Sequence, residues 1–216
     1  GPSIRVSTEW LAVGHVDEIF LFLPNVMAAE GERAWKAVIA SPVMARTALE
    51  ELAEDDLGEL VIFEGRDAET TVNQVLGNDD LMNYQDLAQA RIDSVREVLK
   101  QQVGLSDSDF VEVPVLYEYI VEGGGWGQPA LDMALAYNPG IQNMVIADSA
   151  LFIPDPEGPD RDGLDVWQEQ TRVSLSGMGF DLYFVDVFRS YHEQFGEAHC
   201  GTNLERAPSL TPWWEM

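Results

Sequence analysis

Two short stretches at opposite ends of the chain carry residue types that could do covalent chemistry. Near the start stands Ala12-Val13-Gly14-His15-Val16-Asp17-Glu18, and near the end His199-Cys200-Gly201-Thr202-Asn203. Cys200 is the only cysteine among the 216 residues. A cysteine nucleophile works as its thiolate, which a nearby imidazolium stabilises, and it needs an acid or base to serve the leaving group and the attacking water. Cys200 and His15 supply those two parts. Asp17 follows His15 by two positions, so in an extended segment both side chains point to one face, because strand side chains alternate. That arrangement would let a carboxylate grip a cationic substrate while the imidazole beside it handles protons. On residue types alone, a buried inert thiol and an unrelated surface histidine account for the pair equally well.

The letters around these residues are more specific. Trp10-Leu11-Ala12-Val13-Gly14-His15-Val16-Asp17-Glu18, Leu105-Ser106-Asp107-Ser108-Asp109, Gly196-Glu197-Ala198-His199-Cys200-Gly201-Thr202-Asn203 and Trp213-Trp214-Glu215-Met216 occur in that order. In order and spacing they resemble the C-terminal part of the peptidylarginine deiminases, from about residue 6 to the last. The resemblance implies a hydrolase acting on arginine in a protein substrate. In that chemistry a cysteine attacks the guanidinium carbon, ammonia leaves, and a thiouronium adduct is hydrolysed to citrulline. It makes Cys200 the nucleophile, His15 the general acid/base and Asp17 a guanidinium-binding carboxylate, with Val13 and Trp126 as further candidate substrate contacts.

The resemblance also implies parts that this stretch of sequence does not cover. The family's second guanidinium-binding carboxylate and its calcium ligands lie upstream, so no cofactor and no metal ligand is expected in this chain, and calcium belongs to full-length relatives. Asp186 is the candidate replacement for the second carboxylate. The chain is then a fragment, a compact relative that closes its site differently, or part of an enzyme completed by a partner chain or an upstream domain. Two other readings stand beside protein deimination. One is a non-catalytic arginine-binding or regulatory module that lacks the upstream carboxylate; the other is a guanidine-modifying enzyme, a delivered effector among its forms, acting on free arginine or a small guanidino compound.

Composition bounds these readings. Hydrophobic residues make up 46% and aromatic residues 10%, as in a globular domain large enough to bury a core without disulfides. No stretch approaches the roughly 18 apolar residues of a membrane span, so a soluble protein is expected, with cytoplasmic and secreted or delivered locations both compatible. Residues 1–3 read as the scar of a cleaved affinity tag, leaving 4–216 as one catalytic-domain-like unit. A formal charge of -26 repels phosphate backbones and anionic lipid, which argues against nucleic-acid and membrane partners and favours basic ones. A solubilising acidic surface explains the same charge. One cysteine excludes an intramolecular disulfide and cysteine-based zinc sites.

Elements that would position these residues follow from pattern. Apolar runs at 19–23 and 35–40 read as strands joined across Gly31-Glu32-Arg33. Ser41-Pro42 opens a helix with Val43, Ala45, Leu49 and Leu52 as its buried stripe, and 60–63 reads as the next strand. Residues 79–103 carry Leu81, Tyr84, Ala88, Ile92, Val95, Leu99 and Val103 at helical spacing, stopped by Gly104. Strands are expected at 110–115 and, as a hairpin around Ala147-Asp148-Ser149, at 144–146 and 150–153. Residues 121–127 read as a glycine-rich loop without a P-loop pattern, and 154–163 as a Pro/Gly/Asp loop without calcium-loop spacing. A helix over 164–175, packed by Leu164, Val166, Trp167 and Val173, precedes an apolar core strand at 182–185. A turn or short helix at 189–195 then delivers the cysteine motif, where Glu197 is a candidate to orient His199 or the cysteine loop and His192 and His199 are expected to be structural or solvated. The fold expected is α/β, built of ββαβ modules and resembling all or part of the pseudo-fivefold α/β propeller of guanidine-modifying enzymes.

Overall fold

A computed structural model describes residues 3–122 and 131–205. Strand β1 (Phe20–Pro24) turns back through an antiparallel ladder into β2 (Trp35–Ser41), with Phe20 opposite Ile39. Helix α1 (Pro42–Glu54) follows at once. Ser41 caps it by accepting the Met44 N–H at 3.2 Å, and Pro42 sits in the first turn, where no intrahelical donor is needed. Its buried face is Pro42, Ala45, Ala48, Leu49 and Leu52. Val43, expected on that face, is 47% exposed.

The chain then makes β3 (Val61–Ile62) and β4 (Thr70–Thr71), a separate two-stranded ladder, and α2 (Val72–Leu76). The long helix α3 (Asp79–Val103) has the predicted bounds. Asn78 caps its start, and Gly104, at φ 76°, ends it in the left-handed region where a Cβ would be strained. Leu81, Tyr84, Ala88, Ile92, Val95 and Leu99 are buried on one side. Strand β5 (Phe110–Pro114) then joins β2 in parallel, so the first sheet runs β1-β2-β5. Its third strand is therefore β5 and not the 60–63 segment expected there.

A hairpin of β6 (Tyr117–Glu122) and β7 (Leu131–Ala136) comes next. Gln85 fixes α3 to it: buried to 1% exposure, it donates to the carbonyls of Leu81 and Tyr117 at 2.7 Å each and accepts the Tyr117 N–H at 2.9 Å. A buried amide left unpaired would be costly, so this three-way pairing specifies one docking register. The predicted hairpin forms as β8 (Val145–Ala147) and β9 (Ala150–Pro154), turning at Asp148-Ser149.

The expected loop at 154–163 contains structure of its own. Strands β10 (Asp160–Arg161) and β11 (Leu164–Asp165) pair across Asp162-Gly163, both at positive φ, as a two-residue hairpin demands. Helix α4 (Val166–Ser174) starts later than predicted, capped by Asp165, and Trp167 is its fully buried anchor. Leu164 and Val173 are exposed, not packed. Finally β12 (Asp181–Val185) adds to β9 in parallel, giving the sheet β12-β9-β8. It is an edge strand with Tyr183 half exposed, rather than the core strand expected.

The pattern repeats: two antiparallel strands, helical connection, then a strand parallel to the second of the pair. β1-β2-α-β5 and β8-β9-α4-β12 are both ββαβ units. One apolar core lies between the first sheet, α3 and β6, with residues such as Leu23, Ile39, Ile92, Leu99 and Val113 at 0–2% exposure. A second joins α1, β3, α2 and α4 through Leu49, Ile62, Phe63, Trp167 and Phe188.

Candidate functional site

The two chemistry-bearing motifs meet beside the second core. Residues 10–12 lie along β7: the Ala12 N–H donates to the Ala134 carbonyl and the Ala134 N–H to the Trp10 carbonyl, both at 2.9 Å. Gly14, at φ 78°, lets the chain leave this ladder, and Val16–Glu18 closes as a 3₁₀ turn. The turn is held from behind, because the Tyr117 hydroxyl and the Gln142 side-chain amide both donate to the Glu18 carbonyl, at 2.5 and 2.6 Å. From the front, the Glu18 carboxylate accepts the His15 N–H at 2.6 Å.

This turn corrects the expected geometry of His15 and Asp17. The segment is not extended through position 17, so the period-two argument does not apply. Asp17 reaches instead to the cysteine loop, with its Oδ2 2.8 Å from Nδ1 of His199. His15 is exposed and is not among the residues lining the adjoining pocket.

The cysteine loop is a sequence of tight turns. Phe195 takes a left-handed conformation at φ 64°, and the Gly196 N–H returns to the Tyr191 carbonyl. Ala198 is buried against Val145 and Val187. Gly201 lies so close under the Tyr191 ring that a Cβ would come within 2.2 Å of it, which accounts for a glycine after the cysteine. Asn143, 1% exposed, receives the His199 N–H at both its side-chain and backbone oxygens, 2.9 and 3.2 Å away, and its amide nitrogen is 3.5 Å from Cys200 Sγ. Cys200 is an exposed residue and not part of an apolar core.

Cys200 opens onto a pocket of about 240 Å³ whose wall includes Val13, Glu18, Glu118, Tyr137, Gln142 and Glu197. Its carboxyl groups are not equivalent. Burial pushes the Glu18 carboxyl above its ordinary range, opposed by the His15 N–H, and burial likewise raises Glu118, opposed by His192. Glu197 is 8% exposed; one oxygen takes the Gly140 N–H at 3.1 Å and Nδ1 of His192 at 2.7 Å, while the other is buried with no partner among the described residues. The Glu197 side chain thus orients His192 and the 140–143 turn, and not His199; its backbone carbonyl accepts the Gly201 N–H at 3.2 Å.

Of the residues singled out from sequence, the structure gathers Cys200, Asp17 and Val13 around this loop. Asp186 is engaged elsewhere, 2.9 Å from the Arg66 guanidinium, which also pairs with Glu157. That guanidinium holds the Asp186 carboxyl below its usual range. Trp126 lies outside the described residues, as does the Trp213-Trp214 pair. Sequence reasoning missed Asn143, Tyr117 and Gln142. The available signal was the polar run Asn138-Pro139-Gly140-Ile141-Gln142-Asn143 ahead of an apolar strand, where Asn138, Gln142 and Asn143 are all at most 1% exposed. Among the described residues no group of three or more His, Cys, Asp or Glu side chains is arranged to hold a metal ion, and no helix is long and apolar enough to cross a membrane.

Comparison with known proteins gives this geometry its context. A family model described as protein-arginine deiminase matches residues 2–215. Protein-arginine deiminase type-3 of Rattus norvegicus is 36% identical over 220 residues, covering 100% of this chain and 31% of the relative. Type-4 of Mus musculus is 34% identical over 214 residues, 99% of this chain and 31% of the relative. Type-1 of Homo sapiens is 33% identical over 218 residues, 99% and 30% respectively. The chain spans about a third of the length of the curated relatives it matches.

Proposed function

The chain belongs to the protein-arginine deiminase family, and from that premise we propose that it carries the nucleophile-bearing part of a site that hydrolyses peptidyl arginine to citrulline. The observation that carries the reading is the contact across 182 positions between Asp17 and His199, which brings the first motif against the cysteine loop. Cys200 is the nucleophile and Asp17 the carboxylate that orients the guanidinium; His15, which stands outside the pocket lining, is assigned the role of general acid/base by the family resemblance and has to turn toward the substrate to act. Val13 and, by resemblance, Trp126 are substrate contacts. The two ββαβ units are read as part of a pseudo-fivefold propeller.

A guanidinium is planar, charged and poorly electrophilic, so it must be held flat before attack. The Cys200 thiolate adds to the guanidinium carbon, forming a C–S bond and a tetrahedral centre. A terminal C–N bond then breaks, and ammonia departs with a proton from His15, leaving an S-alkylthiouronium. Water, deprotonated by His15, adds to the same carbon. The C–S bond breaks, returning the thiolate and releasing the ureido group of citrulline.

Orientation needs carboxylates on more than one side of the guanidinium. With Asp186 engaged by Arg66, the second fork is assigned to sequence upstream of this chain or to a partner chain, which supplies it at roughly 1.5–3 kcal/mol per charge-assisted hydrogen bond. The chain by itself is therefore expected to turn over weakly. That the candidate second carboxylate, Asp186, is taken up by Arg66 favours, as a second reading, a module that binds or regulates without catalysis.

The test has two parts. Alkylation of Cys200 by iodoacetamide is measured with and without benzoyl-arginine amide, where protection supports the site and its absence at saturating ligand refutes it. Citrulline formation from an arginine peptide is then measured for wild type and Cys200→Ala, with the upstream region supplied in the same polypeptide. Turnover that survives Cys200→Ala would remove the nucleophile assignment, and no turnover in the completed wild type would favour the binding module.

A further inference from the structure

The geometry points to Asn143 as the hydrogen-bond donor that holds and polarises the Cys200 sulfur, an inference that rests on the deimination chemistry proposed above. Asn143 closes a turn with its own N–H on the Gly140 carbonyl at 2.9 Å and stands two residues before β8. It is nearly inaccessible, yet its side chain is used at both ends. Oδ1 accepts the His199 N–H at 2.9 Å. Only an acceptor can take an N–H, so this bond fixes which way the amide faces. Nδ2 is thereby turned toward Sγ, 3.5 Å away, with Oδ1 the more distant of the two at 3.8 Å.

That orientation has chemical consequences at three points of the cycle. A donor N–H interacts more strongly with a thiolate than with a thiol, so it favours the ionised nucleophile before attack. Formation of the C–S bond withdraws the negative charge from sulfur and weakens this hydrogen bond. Because an amide is neutral, it gives up less in that step than a fixed cation would. When the thiouronium is hydrolysed, the C–S bond breaks and the sulfur regains its charge; the same N–H then assists departure. Asn143 also sets where the sulfur sits, since both of its oxygens hold the residue before Cys200.

The positioning and donor roles separate in substitution. Asn143→Ala removes all three side-chain contacts, the two with Sγ and the one with the His199 N–H. Asn143→Asp keeps an oxygen for the His199 N–H and replaces the donor facing sulfur by an acceptor. Since the chain has one cysteine, its iodoacetamide rate reads this sulfur alone. At pH 7 Asn143→Ala is expected to react about ten-fold more slowly than wild type, as loss of one hydrogen bond to a charged group implies, and Asn143→Asp more slowly still, because its carboxylate also repels the thiolate. The deficit should narrow as pH is raised in both variants. A positioning role alone would instead give a deficit independent of pH in Asn143→Ala, restored in Asn143→Asp; that result overturns the inference. So does a wild-type pH–rate profile in either variant. Circular dichroism identifies a variant that has not folded, and the other then decides. Absence of protection by an arginine mimic would count against deimination and leaves these relative rates unchanged, so the two ideas fail separately.

Discussion

Removing the Tyr117 hydroxyl tests whether the Asp17 turn is held from behind as described. Tyr117→Phe keeps the ring, which packs against Trp10 with centroids 5.4 Å apart, and deletes only the donor to the Glu18 carbonyl. Gln142 still serves that carbonyl at 2.6 Å. The loss is therefore that of one intramolecular hydrogen bond, about 1 kcal/mol. With a urea m-value of about 2.5 kcal/mol per M, the midpoint should fall by about 0.4 M. Burial pushes the Tyr117 phenol upward, so it is protonated across the working range and the shift should not change between pH 6 and 9. In Tyr117→Phe combined with Gln142→Leu the carbonyl loses both donors. The double variant should then cost about 1 kcal/mol more than the two single changes added, because an acceptor left unserved is penalised by its desolvation. An unchanged midpoint in Tyr117→Phe, or strict additivity in the double variant, would refute the claim that these two donors jointly fix the turn.

Three further outcomes are expected. Arg66→Ala leaves Glu157, whose side chain is 11% exposed, without its cation; the cost should be about 2–3 kcal/mol, between a surface pair and a fully buried one, read as a fall in the denaturation midpoint. The Asp165 carboxyl, raised to about 6 chiefly by burial, holds its proton more tightly when folded than unfolded. Its contribution to stability is therefore fully present below about pH 4 and is lost as pH rises toward 6, by at most about 3 kcal/mol. The stability difference between wild type and Asp165→Asn should shrink across that window and be flat above it; a difference that grows with pH would contradict the sign. Finally, with a formal charge of -26, self-repulsion should make the thermal midpoint rise as sodium chloride is raised from 10 to about 150 mM at pH 7, and a fall would show that local ion pairs outweigh it.

What sequence could announce depended on how local the cause was. Helix α3 was legible to its ends because an apolar stripe and Gly104 both act within a few residues. The β8–β9 hairpin was legible for the same reason. The β10–β11 hairpin carried a local signal too, Asp162-Gly163, but its strands are only two residues long, and a dense run of Pro, Gly and Asp reads as loop. The β6–β7 hairpin escaped notice because its first strand runs into the glycine-rich stretch. Val43 and Val173 were misassigned because an apolar residue at roughly the right helical angle can still face water when no neighbouring element covers it.

The site divides along the same line. Its motifs single out Cys200 and Asp17 as candidates, yet the partner of Asp17 is set by a glycine at positive φ and a 3₁₀ turn, which direct the side chain to His199. Asn143 stands 57 positions before Cys200. Nothing short-range in the sequence links them, because the link is made by the hairpin and helix folded between.

The parallel ladder between β2 and β5 has a consequence for the order in which the molecule can be made. Ala37 has no partner on that side until Phe110 arrives, and Ala150 waits in the same way for Asp181. During synthesis from the N-terminus, each sheet is a lone hairpin until its crossover helix has emerged. Among the described residues Cys200 follows every strand, so the strands that flank its loop can pair before the thiol leaves the ribosome.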